Sequence, residues 1–592
     1  MKISSSIHQH LAYLSLQALW RLWPQVKFGL TKITAQGLTC DVDIGKGNIS
    51  EKDFDRIERE IQRLISPQHP QLEKITTSKA LTFLKEDQQI YLQDFFKDYD
   101  GEVLYLYKQN DFQIVVDLKE VPKSFIENKD QIFFKIIKVG GVYWRDQADK
   151  DQLQRLQIVV FGSAEELQVY LEEQISQFAL DHRQLGKDQN LFMFSNLIGA
   201  GLPLFLENGA IIRREIENFI IDEEIRRGYI HVYTSDIARL DLYQISGHYP
   251  YYQDNMYTPI NIDDKKFMLR PMTCPHHFQI YKQKPRSYRE LPIRLAELAK
   301  LYRREKSGEL SGLLRVRTFT LSDAHIFCRV DQVEAEVEQA LQLIEYAAQV
   351  FGLIKDKNYS YRLSLGDRMD QNQKYFKDDQ AWNLAEEKLR QVLQNRGEQF
   401  VEAQNEAAFY GPKIDIQMRN QAGKEETAFT VQYDFVMPKR FELHYIDDQQ
   451  ETQEVVVIHR SSIGAIERLM GFLIEFYEGS WPVWLAPCQI KLITVNHSKK
   501  IVDYAHDLKR LALNQRIRLR LDESSQSVGK KIRQAQIENT PYIVVLGEAE
   551  IDSQAFEVQV RKDLRQSEFK SDATYNWSEI LQNIQADIEN KN

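Results

Sequence analysis

Between residues 211 and 228, IIRREIENFIIDEEIRRG, apolar positions recur at helical spacing. Ile211, Ile212, Ile216, Phe219, Ile220 and Ile225 fall on one broad stripe, which predicts an amphipathic helix with a charged outer face. Nearer the N-terminus, LAYLSLQALWRLWP (11–24) reads as an apolar helix ended by Pro24. EKDFDRIEREIQRLI (51–65) puts Phe54, Ile57, Ile61 and Leu64 on one helical side. SPQHPQ (66–71) has turn chemistry, and QIVVDL (113–118) and FFKIIKVGGVYW (133–144) read as strands. SAEELQVYLEEQISQFALDHRQLG (163–186) reads as one long helix leading into the next region. From about 179 to 486, strands and helices alternate without βαβ spacing, which predicts an antiparallel sheet with helices. Trp481-Pro482 to Pro487 punctuates a boundary. Beyond it, QIKLITV, IVDYAHDLKRLALNQ, RIRLRLD, VGKKIRQAQIEN and YIVVLG alternate strand and helix. That pattern predicts a small α/β domain with a substantially parallel sheet.

One stretch breaks the usual patterning. Leu301–Cys328 reads as strand, loop, strand, with Arg303 and Glu305 on the incoming strand. Ser307-Gly308 and Ser311-Gly312 mark the loop. The outgoing strand is expected from Arg315 to Phe327. Alternation puts positions 315, 317, 319, 321, 323 and 325 on one face: Arg, Arg, Phe, Leu, Asp, His. Val316, Thr318, Thr320, Ser322 and Ala324 take the other. A solvated edge hairpin is the plain alternative. A face with two guanidinium groups, a carboxylate and an imidazole suits a polar anionic ligand instead, because arginine forks match phosphate oxygens.

Composition narrows the class. A length of 592 residues fits three or four domains, and 43% hydrophobic with 27% charged residues is ordinary for a soluble globular chain. No apolar run approaches a membrane span, and MKISSSIHQHLAYLSLQ lacks a signal-peptide pattern. Cys40, Cys274, Cys328 and Cys488 lie far apart, which is no disulfide framework and fits a reducing, cytoplasmic setting. A net charge of −10 argues against indiscriminate nucleic-acid binding. Local basic patches remain as a route to an RNA partner.

Six segments occur in a telling order: RPMTCPHH (270–277), RELPIRLAELAKLYRRE (289–305), RVRTFTLSDAHIFC (315–328), AFYGPKIDI (408–416), VIHRSSIGAIERLMGFLIE (457–475) and WPVWLAPCQI (481–490). The chain resembles the threonyl-tRNA synthetase family of class II aminoacyl-tRNA synthetases over about residues 5–590, most strongly over 265–490. The resemblance implies a multidomain α+β chain, a shortened form of the family. Its expected parts are an editing-like α+β domain ending in a linker helix (1–178), a class II antiparallel-sheet catalytic domain (179–486) and an α/β anticodon-binding domain (487–592). It implies ATP-dependent ligation of L-threonine to tRNA(Thr) through threonyl-adenylate. A homodimer without membrane association is expected, with ATP as substrate, Mg2+, and one Zn2+ per chain.

By the same resemblance, Arg303 holds the α-phosphate and the amino acid carboxylate. Glu305 accepts from the adenine amino group, Phe319 stacks on adenine, and Arg315 contacts the tail of ATP. Arg468, in GAIER, closes on the γ-phosphate and adenine side. Cys274, His325 and His459 correspond to the zinc ligands, although spacing alone shows no such signature. The open metal positions would take the amino group and β-hydroxyl of threonine, with Asp323 accepting from that hydroxyl. Met272, Tyr410, Lys413 and Gln432 fall on motif positions beside this pocket. Lys413 joins Arg303 and Arg468 as an expected catalytic residue, and Gln432 serves both ATP and amino acid. Alternation places Gln432 on one face with Thr430 and Asp434. Cys274 precedes Pro275, where a helix can begin, and a helix N-terminus favours a thiolate.

The chain departs from the family in several places. His276 stands where the family has the glycine of CPGH. Ser235, Tyr302, Arg304, Lys306, Ser311, Leu321, Thr427, Phe429 and Ala465 differ as well. The editing motif HxxxH falls on Tyr13 and Gln17, and CxxxH on Lys119 and Lys123. These lack the imidazole and thiol chemistry of a hydrolytic site, so no editing of seryl-tRNA in cis is expected. In the C-terminal domain Lys530, Lys531 and Arg533 are expected phosphate contacts. Glu550 keeps an acidic base-reading position, and Ser525 and Gln559 replace Asn and Arg. The Ile211–Ile225 stripe is expected at the dimer axis. The altered positions leave two further readings: a synthetase-like paralogue acting as a regulatory or resistance protein, and a ligase specific for serine.

Overall fold

The structure is a computed structural model that describes residues 5–65, 70–99, 104–117, 132–147, 150–369, 375–419, 425–564, 569–570 and 573–591. The chain divides into two compact units, 1–176 and 177–592.

In the first unit, helix Ser5–Leu22 ends before Pro24, and helix Phe54–Leu64 buries Phe54, Ile57, Ile61 and Leu64. An antiparallel sheet runs in the order Lys27–Thr34, Gly37–Asp43, Gln152–Phe161, Phe133–Tyr143. A three-stranded meander, Gln71–Ile75, Leu104–Gln109 and Phe112–Val116, stands beside it. The turn expected at SPQHPQ and the positions Lys119 and Lys123 lie outside the described residues, the turn for its part 66–69.

The expected long helix over 163–186 is two helices, Ala164–Ala179 and His182–Asp188. Asp181 ends the first by capping the second: its backbone is extended and its carboxylate accepts from Arg183 N at 2.7 Å. An Asp at such a break satisfies an N–H that a helix start leaves unpaired.

The second unit is built on an eight-stranded sheet. Its strands are β1 (Ile230–His231), β2 (Ile293–Tyr302), β3 (Thr318–Cys328), β4 (Tyr359–Ser364), β5 (Phe400–Ala403), β6 (Lys413–Arg419), β7 (Glu425–Asp434) and β8 (Val456–Ala465). The order is β1-β2-β3-β8-β7-β6-β4-β5, antiparallel except for β1 with β2 and β4 with β5. Helices α1 (Glu207–Arg226), α2 (Cys274–Tyr281), α3 (Val333–Val350) and α4 (Ile466–Tyr477) pack around it. Pairing alternates sides along each strand, so the central strands sort their residues into a ligand face and a core face. The core face carries Ala296, Ala324, Val431 and Ile414, all buried. It also carries Arg460, which pairs with Glu224 of α1 at 2.6 Å and lies 4.1 Å over the ring of Tyr229. Burial pushes the Glu224 carboxyl up, but Arg460 and His231 outweigh it and hold the group below the ordinary carboxylate range.

The α1 stripe goes into this core. Ile212, Ile216, Phe219 and Ile220 are buried there, while Ile225 is 54% exposed. The stripe expected at a dimer axis therefore packs within its own chain.

The C-terminal part is the predicted α/β domain. Strands β9 (Ile490–Thr494), β10 (Leu519–Asp522) and β11 (Tyr542–Leu546) pair in parallel in the order β10-β9-β11, and β12 (Phe556–Val560) adds antiparallel to β11. Helices α5 (Lys499–Asn514) and α6 (Val528–Ile537) make the crossovers. Lys531 of α6 cannot serve a phosphate as expected. It is 1% exposed, and its ammonium donates to the carbonyls of Thr494 at 3.0 Å and Asp522 at 3.4 Å. Lys530, Arg533, Ser525 and Gln559 are exposed. Glu550 is half-buried and accepts from Gly547 N at 2.8 Å.

Candidate active site

Two cross-strand rows floor a cavity of about 450 Å³ in the second unit, and all their residues but Asp415 line it. The first row reads His325, His459, Gln432, Lys413 across β3, β8, β7 and β6. The second, two residues along, reads Asp323, Ser461, Thr430, Asp415. Opposite strands bring such neighbours within about 5 Å at Cβ. Gln432 donates to Thr430 Oγ1 at 3.0 Å, and Tyr410 donates to Gln432 Oε1. Lys413 donates to both oxygens of Asp415, at 2.8 and 3.1 Å.

Helix α2 begins at Cys274 and lays Phe278 against the rings of His325 and His459. The Cys274 thiol and the two imidazoles each offer a ligand atom within 4.8 Å of the others, and all three residues are buried. Hydrogen bonds assign the tautomers. His277 Nε2 meets Glu297 Oε2 at 3.2 Å, and a carboxylate only accepts, so His277 Nδ1 is left to accept from His325 Nδ1 at 2.8 Å. The lone pair of His325 then lies on Nε2. His459 Nε2 faces Asp434 Oδ2 at 2.8 Å, which leaves its lone pair on Nδ1. A second hydrogen-bonding shell of this kind is what orients metal-binding histidines.

Burial, with His459 and His277 nearby, pushes His325 well below the ordinary histidine range, so its ring is neutral. Cys274 behaves differently from expectation. Burial, with Asp323 and Asp434 nearby, pushes its thiol up and outweighs the helix end. A thiolate there needs a cation beside it, and a metal ion supplies one. A thiol and two imidazoles in a dry pocket fit a zinc site with open positions.

The arginines meet at the other end of the cavity. Strand β2 stops at Tyr302 and β3 starts at Thr318, so Arg303, Glu305, Arg315 and Arg317 lie in the connection and not on the strands as expected. The backbone explains this: Arg303 N still donates to Arg317 O, but Arg304 N donates to Asn255 O, Arg315 N to Ser311 O and Arg317 N to Gly201 O, which ends the ladder there. Arg317 turns away and donates to the carbonyls of Glu305 and Ala200, while Val316 lines the cavity in its place. Arg315 pairs with Glu305 at 2.7 Å, and the Arg303 guanidinium lies 5.0 Å from the ring centre of Phe319. Arg468 of α4 donates to the carbonyls of Leu314 at 3.0 Å and Thr427 at 2.7 Å. Gly464 makes that approach possible: it has φ +67°, and a Cβ there would stand 2.2 Å from Ala428 O.

A second cluster, Asp181, His182 and Glu475, is a clamp. His182 Nδ1 meets Glu475 Oε1 at 2.7 Å and Nε2 accepts from Leu313 N at 3.1 Å, so both ring nitrogens are in use.

Every expected ATP, amino acid and metal residue lines the one cavity: Met272, Cys274, Arg303, Glu305, Arg315, Phe319, Asp323, His325, Tyr410, Lys413, Gln432, His459 and Arg468. Of the departures, Leu321, Thr427 and Ala465 line it as well, and His276 is buried against Tyr243 with Nε2 and OH 3.0 Å apart. Sequence reading missed Tyr252 and Ser461, and did not give Thr430 a role. Alternation from His459 reaches Ser461 two residues on. No local signal points to Tyr252.

A buried metal-type cluster and an arginine group on one antiparallel sheet are the parts of a class II aminoacyl-tRNA synthetase. Residues 257–477 match the family model of the tRNA synthetase class II core domain (G, H, P, S and T), and residues 486–581 match the anticodon binding domain. The chain is 41% identical over 553 residues to the threonine–tRNA ligase of Geobacillus sp. (strain WCH70), covering 93% of this chain and 84% of that one. It is 40% identical over 584 residues to that of Streptococcus pyogenes serotype M28 (strain MGAS6180), covering 98% and 87%. The crystal structure of the RNA binding domain of threonyl-tRNA synthetase from Cryptosporidium parvum Iowa II matches with a TM-score of 0.64 at 32% identity, covering 69% of this chain and 98% of that one. The chain belongs to the threonine–tRNA ligase family.

Proposed function

We propose that the cavity forms threonyl-adenylate from L-threonine and ATP and then passes the threonyl group to tRNA(Thr). The observation that carries this is the meeting of Cys274, His325, His459 and Asp323 with Arg303 and Arg468 around one cavity. A threonine carboxylate oxygen attacks the α-phosphorus and pyrophosphate leaves. The terminal ribose hydroxyl of the tRNA then attacks the carbonyl carbon and AMP leaves. Neither step needs a nucleophile from the protein, so placement and charge neutralisation dominate.

Arg303 holds the α-phosphate and the threonine carboxylate, and Arg468 and Arg315 hold the outer phosphates. Phe319 stacks on adenine and Glu305 accepts from its amino group. Lys413, Tyr410, Gln432 and Met272 line the space between. Cys274 Sγ, His325 Nε2 and His459 Nδ1 would hold a zinc ion. Bound there, zinc supplies a Lewis acid for the amino group and β-hydroxyl of threonine, as Mg2+ supplies charge neutralisation to the ATP phosphates. Asp323 accepts from the hydroxyl. Valine, which has none, leaves Asp323 unpaired and is rejected strongly. ATP–pyrophosphate exchange by the purified protein with each of the twenty amino acids tests the reading. Exchange is expected with threonine well above all others. A serine-led profile, or none, overturns it.

The proposed division is 1–178, 179–486 and 487–592, with tRNA held through Arg533, Lys530, Glu550, Ser525 and Gln559. The four cysteines are free and buried, in keeping with a cytoplasmic enzyme. Among the described residues no helix is long and apolar enough to cross a membrane.

The front unit is proposed to lack hydrolytic activity. Tyr13 and Gln17, one turn apart on helix Ser5–Leu22, are both buried. Tyr13 packs on Tyr107 at 4.6 Å between ring centres, and Gln17 donates to Gln109 O at 3.0 Å. Neither is a base at neutral pH. Preformed seryl-tRNA(Thr) should therefore deacylate no faster with the protein than without it.

A homodimer is proposed through apolar side chains outside the α1 stripe. Leu197 is 99% exposed and Tyr233 89%, with Ile198 and Ile230 about half exposed. A two-fold interface would cover such residues. Light scattering at micromolar concentration should give twice the chain mass, and Tyr233→Lys should lower it to that of one chain.

A further inference from the structure

Buried polar atoms in a folded chain are almost always paired. Three residues lining the cavity keep at least one without a hydrogen-bond partner among the described residues: Arg303, Arg460 and Ser461. Arg460 turns its guanidinium to the core face, where Glu224 and Tyr229 meet it. Arg303 faces the phosphate end. Ser461 is left at the centre of the floor. It is 3% exposed, and its Oγ has no partner among the described residues.

The next residue is an internal control. Ser462 points to the core face, where its hydroxyl meets Ser322 Oγ at 2.7 Å and donates to Glu224 at 2.9 Å. The fold thus satisfies one of two adjacent buried hydroxyls and leaves the other, on the strand face that lines the cavity, unpaired among the described residues. Alanine would pack at that position without an unpaired group, so the hydroxyl calls for a partner from outside the chain.

Register says which partner. Ser461 stands directly across from Asp323 on one side and Thr430 on the other. Thr430 is already engaged by Gln432. Side chains opposed in this way have Cβ atoms about 5 Å apart, so one oxygen atom can bond to both Asp323 and Ser461. A carboxylate only accepts, whereas a serine hydroxyl can donate. The ligand group that satisfies both at once is a hydroxyl, with one proton to give and a lone pair to offer.

Resting on the threonine reading above, we propose that Ser461 is a specificity-determining residue. Its hydroxyl donates to the side-chain oxygen of the bound β-hydroxy amino acid, whose own proton goes to Asp323. Valine then leaves two protein groups unpaired, Asp323 and Ser461. Serine, which keeps the hydroxyl, satisfies both as threonine does.

The test uses the 592-residue chain and its Ser461→Ala and Ser461→Cys variants; cysteine keeps the side-chain shape, is somewhat larger and is a weak donor. Zinc content is measured first. ATP–pyrophosphate exchange then gives kcat and KM for threonine, serine, valine and ATP, and calorimetry gives the Kd of L-threonine. Both variants should raise the threonine KM and Kd about fivefold to tenfold and leave the ATP KM within about twofold. Discrimination against valine should fall by a similar factor, while the serine-to-threonine ratio stays unchanged. A threonine KM within twofold of wild type, or an equal fall for valine and threonine, overturns the proposal and leaves the parent reading standing. Loss of zinc in both variants overturns it in favour of a packing role beside His459. No threonine-dependent exchange in the wild-type chain overturns the parent reading and this one with it.

Discussion

His325→Ala should purify folded, with its zinc lost and its threonine-dependent exchange reduced at least about a thousandfold, the scale of removing a group that acts only when the site is complete. Wild type should carry about one zinc per chain. The large effect follows from the ligand count. Cys274, His325 and His459 come from α2, β3 and β8, and the substitution leaves two of those three ligand atoms. The fold should survive because β3 keeps its pairing with β2 and β8 through its backbone, which the substitution leaves in place. His277→Ala is the graded companion. It removes the acceptor for His325 Nδ1 but no ligand, so metal affinity should fall only about 10–100-fold. Metal analysis alongside exchange kinetics checks both. A fully active His325→Ala protein without zinc would remove the metal from the mechanism.

Arg303→Ala should cost about 3–5 kcal/mol of transition-state stabilisation, read as a fall of roughly two to three and a half decades in kcat/KM for exchange. Arg303, Arg315 and Arg468 line one cavity, and Arg315 pairs with the carboxylates of Glu305 and Glu309. Burial, with Arg303 and Arg315 close by, pulls Arg468 below the ordinary arginine range. Such a cluster is unfavourable until an anion enters. Arg303 Nε is buried and unpartnered among the described residues, which leaves that N–H for a phosphate to meet. Lysine at 303 should restore little, because a point charge does not reproduce the planar fork resting on Phe319. Near-normal kcat/KM in Arg303→Ala would sink the assignment.

Much of the site was legible before any coordinates. The period of two along β3 placed Phe319, Asp323 and His325 on a common face, and all three line the cavity. The same alternation held for Thr430 and Gln432. It failed at Arg317, because that residue gives its N–H to Gly201 and its guanidinium to the carbonyls of Glu305 and Ala200, and side-chain alternation holds only while the ladder lasts. The expected phosphate contact at Lys531 failed too. Two carbonyls at strand ends, which no local pattern reveals, hold the lysine inside.

The sequence by itself determined the local structure and the kinds of chemistry available. Helical stripes and strand alternation follow from backbone geometry, and motif residues from the order of side chains along it. Tertiary structure decided which groups meet and in what state. Cys274, His325 and His459 become one cluster only through the β3–β8 register and the docking of α2 on it. Desolvation, which only packing can impose, keeps His325 neutral and raises the Cys274 thiol against the pull of its helix. Register also separated Ser461 from Ser462, turning two like neighbours into a core bond and an unpaired hydroxyl at the floor of the cavity. Pairing between distant strands and exclusion of water are properties of the assembled sheet, and no window of sequence contains them.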